Sequence, residues 1–463
     1  MSAQPQLQSV PVCHVVQGQT VRGTAAEYKS AAFQFTTPAI DINALVWPRS
    51  EPGPAFDLPL AEIMDVLVAT GAELAADKHG FLAEALEYSV IASPLPREVL
   101  KRSFDSLGLL FNRASLEFQV RNELGGAEVL DGWREVAGPS GRRHRVRAFP
   151  PRLIHVIAGN APGVAALSVI RGALTKGVHL IKLPSNDLFT ATAVLRSMAA
   201  AAPNHPVTRS FSAAYWRGGD TQVEGVLFRP QFFDKLVAWG GESTIRSARQ
   251  YIGPGFELVA FDPKTSISFI GREAFATPEI LAQVADCAAA DATIMNQQAC
   301  ASSRIQYVEG TEQQVDEYCG LLQPRLGIER FTCSAQQQPV APGLREEIEG
   351  LRAMESLYRV WGDYTGKGLV IRSEDPVDFH PDGRIVNVVP VNTLNDALRY
   401  VNVATQTVGV YPPSRKAELR NRLASRGVQR VVELGKAMNF ETGIPHDGFL
   451  PLQRFIRWVN DEG

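Results

Sequence analysis

The sequence predicts an α/β protein whose central part is a doubly wound, parallel sheet. Apolar runs at Leu153–Ala158 and Val178–Lys182 have the composition of strands buried on both faces. Between them, Leu167, Ile170 and Leu174 recur with the spacing of one helix face. Strand, helix and strand within about thirty residues form a βαβ unit, whose strands pair in parallel.

The same alternation continues along the chain. A helix over 188–202 follows the first unit, and a strand at Leu236–Gly241 ends in two glycines before another helix. Earlier, the apolar positions of 60–67 predict a helix that covers the end of the sheet. Repeated β–α alternation of this kind is typical of a nucleotide-binding domain.

We divide the chain into four parts. The predicted parts are an accessory N-terminal segment (1–57), a nucleotide-binding domain (58–265) with a basic arm (about 125–151), a catalytic α/β domain (266–440) and a C-terminal docking and oligomerisation segment (441–463). Within the first part, Ala32–Phe35 alternates like an edge strand. In the tail, Leu452, Phe455, Ile456 and Val459 predict an amphipathic docking helix.

The basic run Gly141–Arg147 has two interpretations. It fits a nucleic-acid patch or a solvated hairpin arm, and we favour the arm because the whole chain carries a net charge of −3. Such arms often mediate contacts between subunits, so we expect a homo-oligomer and no nucleic-acid partner.

Composition and cysteine spacing narrow the class of protein further. Of the 463 residues, 45% are hydrophobic and 21% charged, as in ordinary globular enzymes. The five cysteines form no CxxC pair and no regular spacing, which predicts neither a disulfide framework nor a metal site. With no signal-peptide pattern at the start and no membrane-length apolar run, we expect a cytoplasmic protein.

Cys300 is the candidate nucleophile. A lone cysteine is most often a small buried hydrophobe, but Cys300 is flanked by polar and small residues in the loop Asp291–Arg304, between a predicted helix at 280–290 and a strand at Ile305–Val308. Small neighbours let a substrate approach the sulfur, and nearby amides stabilise a thiolate or an oxyanion. Cys287 and Cys319 lie on predicted helices and are typical of core positions.

Two glycine turns are the candidate phosphate sites. The chain has neither a GxGxxG nor a GxxxxGK[ST] motif, which leaves the strand-to-helix turns at Gly159–Gly163 and Gly240–Gly241. Either turn presents backbone N–H groups and a helix N-terminus to a phosphate.

Five segments, in their order along the chain, resemble the corresponding motifs of the aldehyde dehydrogenase superfamily. The segments are Gly159–Gly163, Ile181–Ser185, Trp239–Thr244, Phe261–Ser266 and Asn296–Cys300. Within the superfamily, Asn296–Cys300, Gly240–Thr244 and Pro445–Gly448 are similar to the LuxC-type acyl-CoA reductases. The resemblance extends from about residue 60 to the end. It implies an aldehyde dehydrogenase-like fold: a doubly wound nucleotide-binding domain plus an α/β catalytic domain with an oligomerisation arm.

The resemblance also implies roles for individual residues. Cys300 would attack a fatty acyl thioester, and Asn160 would donate to the oxyanion together with the Cys300 amide, although Asn160 also fits a helix N-cap. Lys182 would hold the adenosine ribose, although a solvated strand end is the plainer interpretation. Gly240, Gly241 and Ser243 would face the pyrophosphate.

Three departures from the superfamily pattern concern carboxylates. Ser185 stands where NAD-preferring relatives have a glutamate, which favours NADPH because the repulsion against a 2′-phosphate is removed. The general-base glutamate is replaced within Ala260–Lys264, so hydrolysis of an acyl-enzyme should be slow, unless Glu257 substitutes as the base. The second ribose-binding glutamate is not evident near Arg384–Val391.

The main hypothesis is therefore NADPH-dependent reduction of a long-chain fatty acyl thioester to an aldehyde. The donor is acyl-CoA or an acyl-protein thioester, and an acyl-activating protein is a candidate partner. One alternative is an aldehyde dehydrogenase, acylating or hydrolytic, that oxidises an aldehyde. Another is a non-catalytic binding subunit.

Overall fold

The chain folds into two compact units. A computed structural model describes residues 9–29, 33–337 and 340–462. The first unit comprises Met1–Asp262 together with Glu441–Gly463, and the second comprises Pro263–Phe440. The segments predicted as N-terminal accessory and C-terminal docking parts thus both join the first unit.

The strands and helices of the described residues follow in chain order. The strands are β1 (Ser9–Pro11), β2 (His14–Val16), β3 (Gln19–Val21), β4 (Ala26–Lys29), β5 (Gln34–Thr37), β6 (Arg134–Ala137), β7 (Arg143–Phe149), β8 (Arg152–Val156), β9 (Val178–Lys182), β10 (Phe211–Ala214), β11 (Lys235–Trp239), β12 (Glu257–Phe261), β13 (Thr265–Ile270), β14 (Ser303–Glu309), β15 (Tyr358–Trp361), β16 (Leu369–Ser373), β17 (Ile385–Val391), β18 (Thr405–Tyr411), β19 (Arg430–Glu433) and β20 (Arg457–Glu462). The helices are α1 (Ile42–Leu45), α2 (Leu60–Ala76), α3 (Phe81–Ala92), α4 (Arg97–Asp105), α5 (Arg113–Leu124), α6 (Glu128–Asp131), α7 (Gly163–Leu174), α8 (Thr190–Ala201), α9 (Pro206–Arg209), α10 (Thr221–Leu227), α11 (Glu242–Arg249), α12 (Pro278–Ala292), α13 (Glu312–Arg325), α14 (Pro342–Arg352), α15 (Lys416–Ala424) and α16 (Pro451–Phe455).

The first unit is built on a sheet with the predicted doubly wound order. Its strands run β12-β11-β8-β9-β10-β2-β3, and β8 to β12 are parallel. From β8 the chain moves outwards through β9 and β10, then returns to place β11 on the other side of β8. The strand order therefore reverses between β8 and β11, and ligands bind at the carboxyl ends of strands at such a switch point.

The N-terminal segment extends this sheet. Strands β2 and β3 form an antiparallel pair at its edge, and β2 pairs with β10. The strand expected at 32–35 is β5 (Gln34–Thr37), with Ala32 itself outside the described residues. Strand β5 lies between β1 and β4 in a separate small sheet.

The predicted basic arm is a hairpin, but the prediction for the tail is wrong. Strands β6 and β7 pair antiparallel, and the basic residues of β7 are mostly exposed or half-buried. The tail was expected to form one helix through Val459. Instead α16 ends at Phe455, and β20 pairs with all but the first residue of β7. The spacing of the tail's apolar residues suggested a helix because the pairing partner lies more than 300 residues earlier.

The second unit has its own largely parallel sheet. Its order is β15-β16-β17-β14-β13-β18-β19, and only the β15–β16 pair is antiparallel. Helices α12 and α13 pack on one face through buried alanines and leucines, and α15 packs on the other. Between β17 and β18 the chain forms a short 3-10 segment, Asp396–Tyr400. Among the described residues, no helix is long and apolar enough to cross a membrane.

Two histidines form a buried pair in the first sheet. His155 on β8 and His179 on β9 are at most 1% exposed, and their Nε2 and Nδ1 atoms lie 3.1 Å apart. His155 is therefore a core residue. Burial lowers the pKa of His155 to about 3 and that of His179 well below its usual value, with the charge of His155 adding to the effect.

The histidine pair predicts a loss of stability in mild acid. Both groups stay neutral in the native state, whereas the unfolded chain takes up protons as the pH falls below about 6.5. Each then lowers the free energy of unfolding by about 1.4 kcal/mol per pH unit. Urea unfolding at pH 7.0 and 5.5 measures this slope. A His155→Leu/His179→Phe double variant should make it shallower by these two contributions, leaving that of buried His14, whose pKa burial lowers to about 4, whereas His144→Gln on the arm should leave it unchanged.

Candidate active site

The turns after β8 and β9 lie against each other at the carboxyl edge of the first sheet. A Cβ on Gly159 would meet Asn186 Oδ1 at 2.1 Å and the Asp187 backbone nitrogen at 3.0 Å. Glycine is therefore required at 159 by close packing. The turn that follows β8 is thus fixed beside the turn that contains Ser185.

The turn after β11 leaves open space at the start of a helix. A Cβ on Gly240 would meet the side chain of Thr244 at 2.9 Å, whereas nothing lies within 4 Å of one on Gly241. Gly241 is the N-cap of α11, and Ser243 is exposed in its first turn. The N–H groups of such a turn are suited to bind a phosphate.

Asn160 is half-buried in the turn after β8 and does not cap the following helix. Helix α7 begins at Gly163, and its N-cap residue is Pro162 rather than Asn160. The N-cap interpretation of Asn160 is therefore wrong. Its predicted role as an oxyanion donor stays a prediction.

Lys182 ends β9 beneath two aromatic rings. Its side chain is 8% exposed, and Nζ lies 5.8 Å from the Tyr215 ring centre and 5.7 Å from that of Trp216. Burial lowers the pKa of the Lys182 ammonium, and the negative charge of Glu224 opposes this shift. The alternative of a solvated strand end is therefore wrong.

A basic residue that the sequence analysis missed lies near this edge. Arg217 follows β10, whose last residue Ala214 pairs with Lys182, and it is exposed. It makes no ion pair with any residue that the structure describes. In the sequence only its place directly after a strand could have marked it.

Glu257 lies at the other edge of the first sheet. It is the first residue of β12, whereas the glycine turns follow the carboxyl ends of β8 and β11. Its carboxylate is 3.1 Å from Lys235 Nζ, which also donates to the carbonyls of Arg454 and Ile456. This ion pair and position argue against Glu257 as a base at the cofactor edge.

In the second unit, Cys300 lies just before the amino end of β14. Its side chain is exposed, whereas Cys319 and Cys333 are buried and Cys287 is half-buried. Burial raises the pKa of each of these three thiols. Among the five cysteines, all of which the structure describes, none forms a disulfide.

The loop before Cys300 is held in an unusual conformation. Met295, Asn296 and Gln297 have φ angles of 51°, 51° and 72°, in the left-handed region. For residues other than glycine this conformation costs roughly 1–3 kcal/mol each, so surrounding contacts must fix it. Asn296 Oδ1 accepts from the Ser334 amide at 2.8 Å. The Gln297 side chain donates to the Ile385 carbonyl and accepts from its amide, at 2.8 and 3.0 Å.

Replacement of Gln297 by leucine should destabilise this loop. The fully buried amide of Gln297 satisfies both backbone groups of Ile385, and leaving them unpaired costs roughly 2–5 kcal/mol in total. Urea unfolding measures the loss, and slower alkylation of Cys300 should accompany it. The neighbouring Gln298→Leu is the matched control, because Gln298 donates to the half-exposed Asp382 at 3.2 Å. Equal losses in both variants would contradict the anchoring role of Gln297.

The sulfur of Cys300 contacts a buried amide. Gln406, on β18 and 3% exposed, donates from Nε2 to Cys300 Sγ at 3.3 Å. The backbone is held as well, because the Ser266 hydroxyl donates to the Cys300 carbonyl at 2.7 Å and accepts from the Thr407 amide at 3.2 Å. Strand β13 thus ties the Cys300 loop to β18.

Two guanidinium groups, those of the buried Arg304 and the half-buried Arg430, act on the same sulfur. Burial lowers the pKa of Arg304, whereas the charges of Asp382 and Cys300 raise it. Burial also lowers the pKa of Arg430, and the charges of Asp291 and Cys300 raise it. Guanidinium groups near a cysteine stabilise its thiolate, which is the reactive form. Among the described residues, no group of three or more His, Cys, Asp and Glu is placed to hold a metal ion.

Comparison with solved structures identifies the fold. A benzaldehyde dehydrogenase from Corynebacterium glutamicum superposes with a TM-score of 0.72 at 18% identity, covering 98% of this chain and 97% of that one. The NADP-dependent glyceraldehyde-3-phosphate dehydrogenase from Bacillus halodurans C-125, complexed with NADP, has a TM-score of 0.70 at 14% identity, covering 98% and 99%. The predicted aldehyde dehydrogenase-like fold is confirmed.

Comparison of sequences identifies the family. The model described as "Acyl-CoA reductase (LuxC)" matches residues 55–458. The long-chain acyl-protein thioester reductase of Photorhabdus laumondii subsp. laumondii is 33% identical over 366 residues, 76% of this chain and 72% of that protein. The protein of the same name from Aliivibrio fischeri is 30% identical over 422 residues, 88% and 83%. These findings favour an acyl-thioester reductase over an oxidising aldehyde dehydrogenase or a binding subunit. The chain belongs to the LuxC family of acyl-CoA reductases.

Proposed function

We propose that this chain reduces a long-chain acyl thioester to the fatty aldehyde through an acyl group carried on Cys300. The observation that carries the proposal is the exposed sulfur of Cys300, placed against a buried amide donor and within the field of two guanidinium groups. A thiolate held in this way attacks the thioester carbonyl and expels the donor thiol. Asn160 is proposed to donate to the oxyanion.

A nicotinamide cofactor is proposed to bind at the carboxyl edge of the first sheet and to supply the hydride. The residues present fit such a group. The open turn at Gly241 and the exposed Ser243 suit the pyrophosphate, and Gly240 keeps that turn tight. Lys182 lies at the end of β9, where the ribose hydroxyls would be held.

NADPH is the proposed form of the cofactor. Ser185 is exposed in the turn after β9, where it places no negative charge beside a 2′-phosphate. Arg217 is an exposed cation at the end of the adjacent strand β10. A neutral hydroxyl and a nearby guanidinium favour a phosphate over a bare hydroxyl.

The acyl group on Cys300 is proposed to survive long enough to be reduced. The position of the superfamily's general base lies within Ala260–Lys264, which contains no glutamate. Glu257 is engaged by Lys235 at the far edge of its sheet. Without a base to activate water, hydrolysis to the acid is slow.

The donor and the assembly follow from the relatives and from the arm. Relatives named long-chain acyl-protein thioester reductases favour an acyl-protein donor, with acyl-CoA as the alternative. An acyl-activating protein is proposed as the partner. The exposed arm of β6, β7 and β20 is proposed as the contact surface of a homo-oligomer. The unoxidised cysteines fit a cytoplasmic location, which stays a proposal.

The direct test is intact-mass analysis after mixing the protein with acyl-CoAs of increasing chain length, without cofactor. We expect a stable adduct of one acyl group, mapped by peptide analysis to Cys300. Addition of NADPH should then remove the adduct and release the aldehyde. No adduct at any chain length, or an adduct on another cysteine, would overturn the proposal. Faster oxidation of aldehyde with NADP⁺ than reduction of thioester would favour the dehydrogenase instead.

A further inference from the structure

Gln406 is held in place by irregularities in the sheet of the second unit. Thr265 pairs with Thr405 but Ile267 pairs with Val408, so β18 has one residue more than β13 over this stretch. On the other side, Ser266 pairs with Ser303 but Ile267 with Ile305, so β14 also has one extra residue. Bulges of this kind re-aim side chains and are common beside active sites.

The two bulges meet at Ser266, whose hydroxyl bridges their backbones. It donates to the Cys300 carbonyl and accepts from the Thr407 amide. The same arrangement brings Gln406 Nε2 to 3.3 Å from Cys300 Sγ. A buried primary amide at a bulge is costly unless its groups are satisfied, and here one of its contacts is the sulfur.

We propose that Gln406 is a catalytic residue that donates its amide N–H to the Cys300 sulfur whenever that sulfur is a thiolate. This inference rests on the proposed function of Cys300. Arg304 and Arg430 supply charge at longer range, whereas Gln406 touches the reacting atom. Hydrogen bonds to charged groups are about twice as strong as neutral ones, so the contact strengthens as negative charge forms.

The contact acts twice in one turnover. First, the Cys300 thiolate forms a C–S bond to the acyl carbon, and the donor's C–S bond breaks to release its thiolate, which takes a proton from solvent. A nicotinamide cofactor, when bound, would supply the hydride that converts this acyl group into a hemithioacetal oxyanion on Cys300. That oxyanion forms the aldehyde C=O, and the C–S electron pair returns to Cys300. Gln406 stabilises the sulfur as nucleophile and again as leaving group.

The Gln406→Met variant separates this role from a structural one, because methionine keeps the length of the side chain and removes the N–H. Loss of one bond to a thiolate should raise the pH midpoint of Cys300 alkylation by about one unit. The thiolate that remains is more nucleophilic, by about threefold for that change in basicity. The Gln406→Met rate should therefore be about threefold lower than wild type at pH values well below the wild-type midpoint, and about threefold higher at pH values well above both midpoints.

The experiment measures iodoacetamide alkylation of Cys300 from pH 5 to 10, with the site verified by peptide mapping. Gln306→Met is the matched control: Gln306 is a buried glutamine on β14 that bonds to Tyr318 and to the Ala288 carbonyl, and its profile should match wild type. If Gln406→Met does not fold, Gln406→Asn keeps the amide but withdraws it by one methylene, and should shift the midpoint in the same direction. Release of aldehyde from pre-acylated Gln406→Met should also slow about threefold.

A crossing of the two profiles supports the catalytic role. A Gln406→Met profile that matches wild type, or that is lower by the same factor at every pH, would overturn it. The two proposals fail separately. If wild-type Cys300 accepts no acyl group, the proposed function fails, whatever the alkylation profiles show. If it does accept one and the profiles do not cross, only the role of Gln406 is lost.

Discussion

Replacement of Cys300 by alanine should abolish both the acyl adduct and the reduction of thioesters. No other group in the chain is proposed to form the covalent bond, so we expect the reductase rate to fall by at least about a thousandfold. Binding of NADPH should be unaffected, because its proposed residues lie in the first unit. Measurement of aldehyde formation, with cofactor affinity followed by fluorescence titration, tests both statements.

Cys287→Ser is the matched control for that variant. Cys287 lies on α12 in the same unit, is half-buried, and has a pKa raised by burial and by the charges of Asp286 and Asp291. This variant should keep the adduct and most of the activity. Activity that survives in Cys300→Ala but is lost in Cys287→Ser would move the nucleophile to α12.

Replacement of Ser185 by glutamate should reverse the proposed preference for NADPH over NADH. At about 5 Å in a partly solvated site, a carboxylate repels a phosphate charge by roughly 1–3 kcal/mol, which weakens binding about 10- to 100-fold. NADH has no phosphate at this position, and its ribose hydroxyls can donate to the new carboxylate. We therefore expect the KM for NADPH to rise by this factor while the KM for NADH stays level or falls.

Two further variants sharpen the cofactor test. Arg217→Gln should weaken NADPH about tenfold and leave NADH unchanged, because it removes an attractive charge-assisted contact of roughly 1.4 kcal/mol. Ser140→Glu adds the same charge to the exposed turn of the arm and should alter neither KM. If Ser185→Glu and Ser140→Glu behave alike, Ser185 does not contact the 2′-phosphate.

The parts of the fold that were predictable are those whose signals are local. Strands β8, β9 and β11 are apolar runs bounded by glycines, and α7 repeats leucine and isoleucine at helical spacing, so the βαβ order could be read directly. The strand in the tail could not be predicted from the sequence, because β20 is a strand only by pairing with β7. Strands β15 and β16 were missed, although they extend the second sheet beyond β17.

The residues of the candidate site also differ in whether the sequence around them predicts their role. Cys300 could be recognised from its small and polar neighbours, and the glycine turns from their position after apolar strands. Gln406 could not, because its contact with Cys300 depends on the order β14-β13-β18 and on two shifts of register. Asn160 fitted two roles in the sequence, and only the start of α7 at Gly163 eliminates the N-cap.

The division of the first unit between the two ends of the chain has a consequence for biosynthesis. Glu123 accepts from the Leu452 amide, and Lys235 donates to the carbonyls of Arg454 and Ile456, so these partners of the first unit leave the ribosome after residues 263–440. Residues 263–440 are contiguous and complete earlier. A nascent chain truncated near 440 should therefore contain all residues of the second unit, whereas its first unit should still lack residues 441–463.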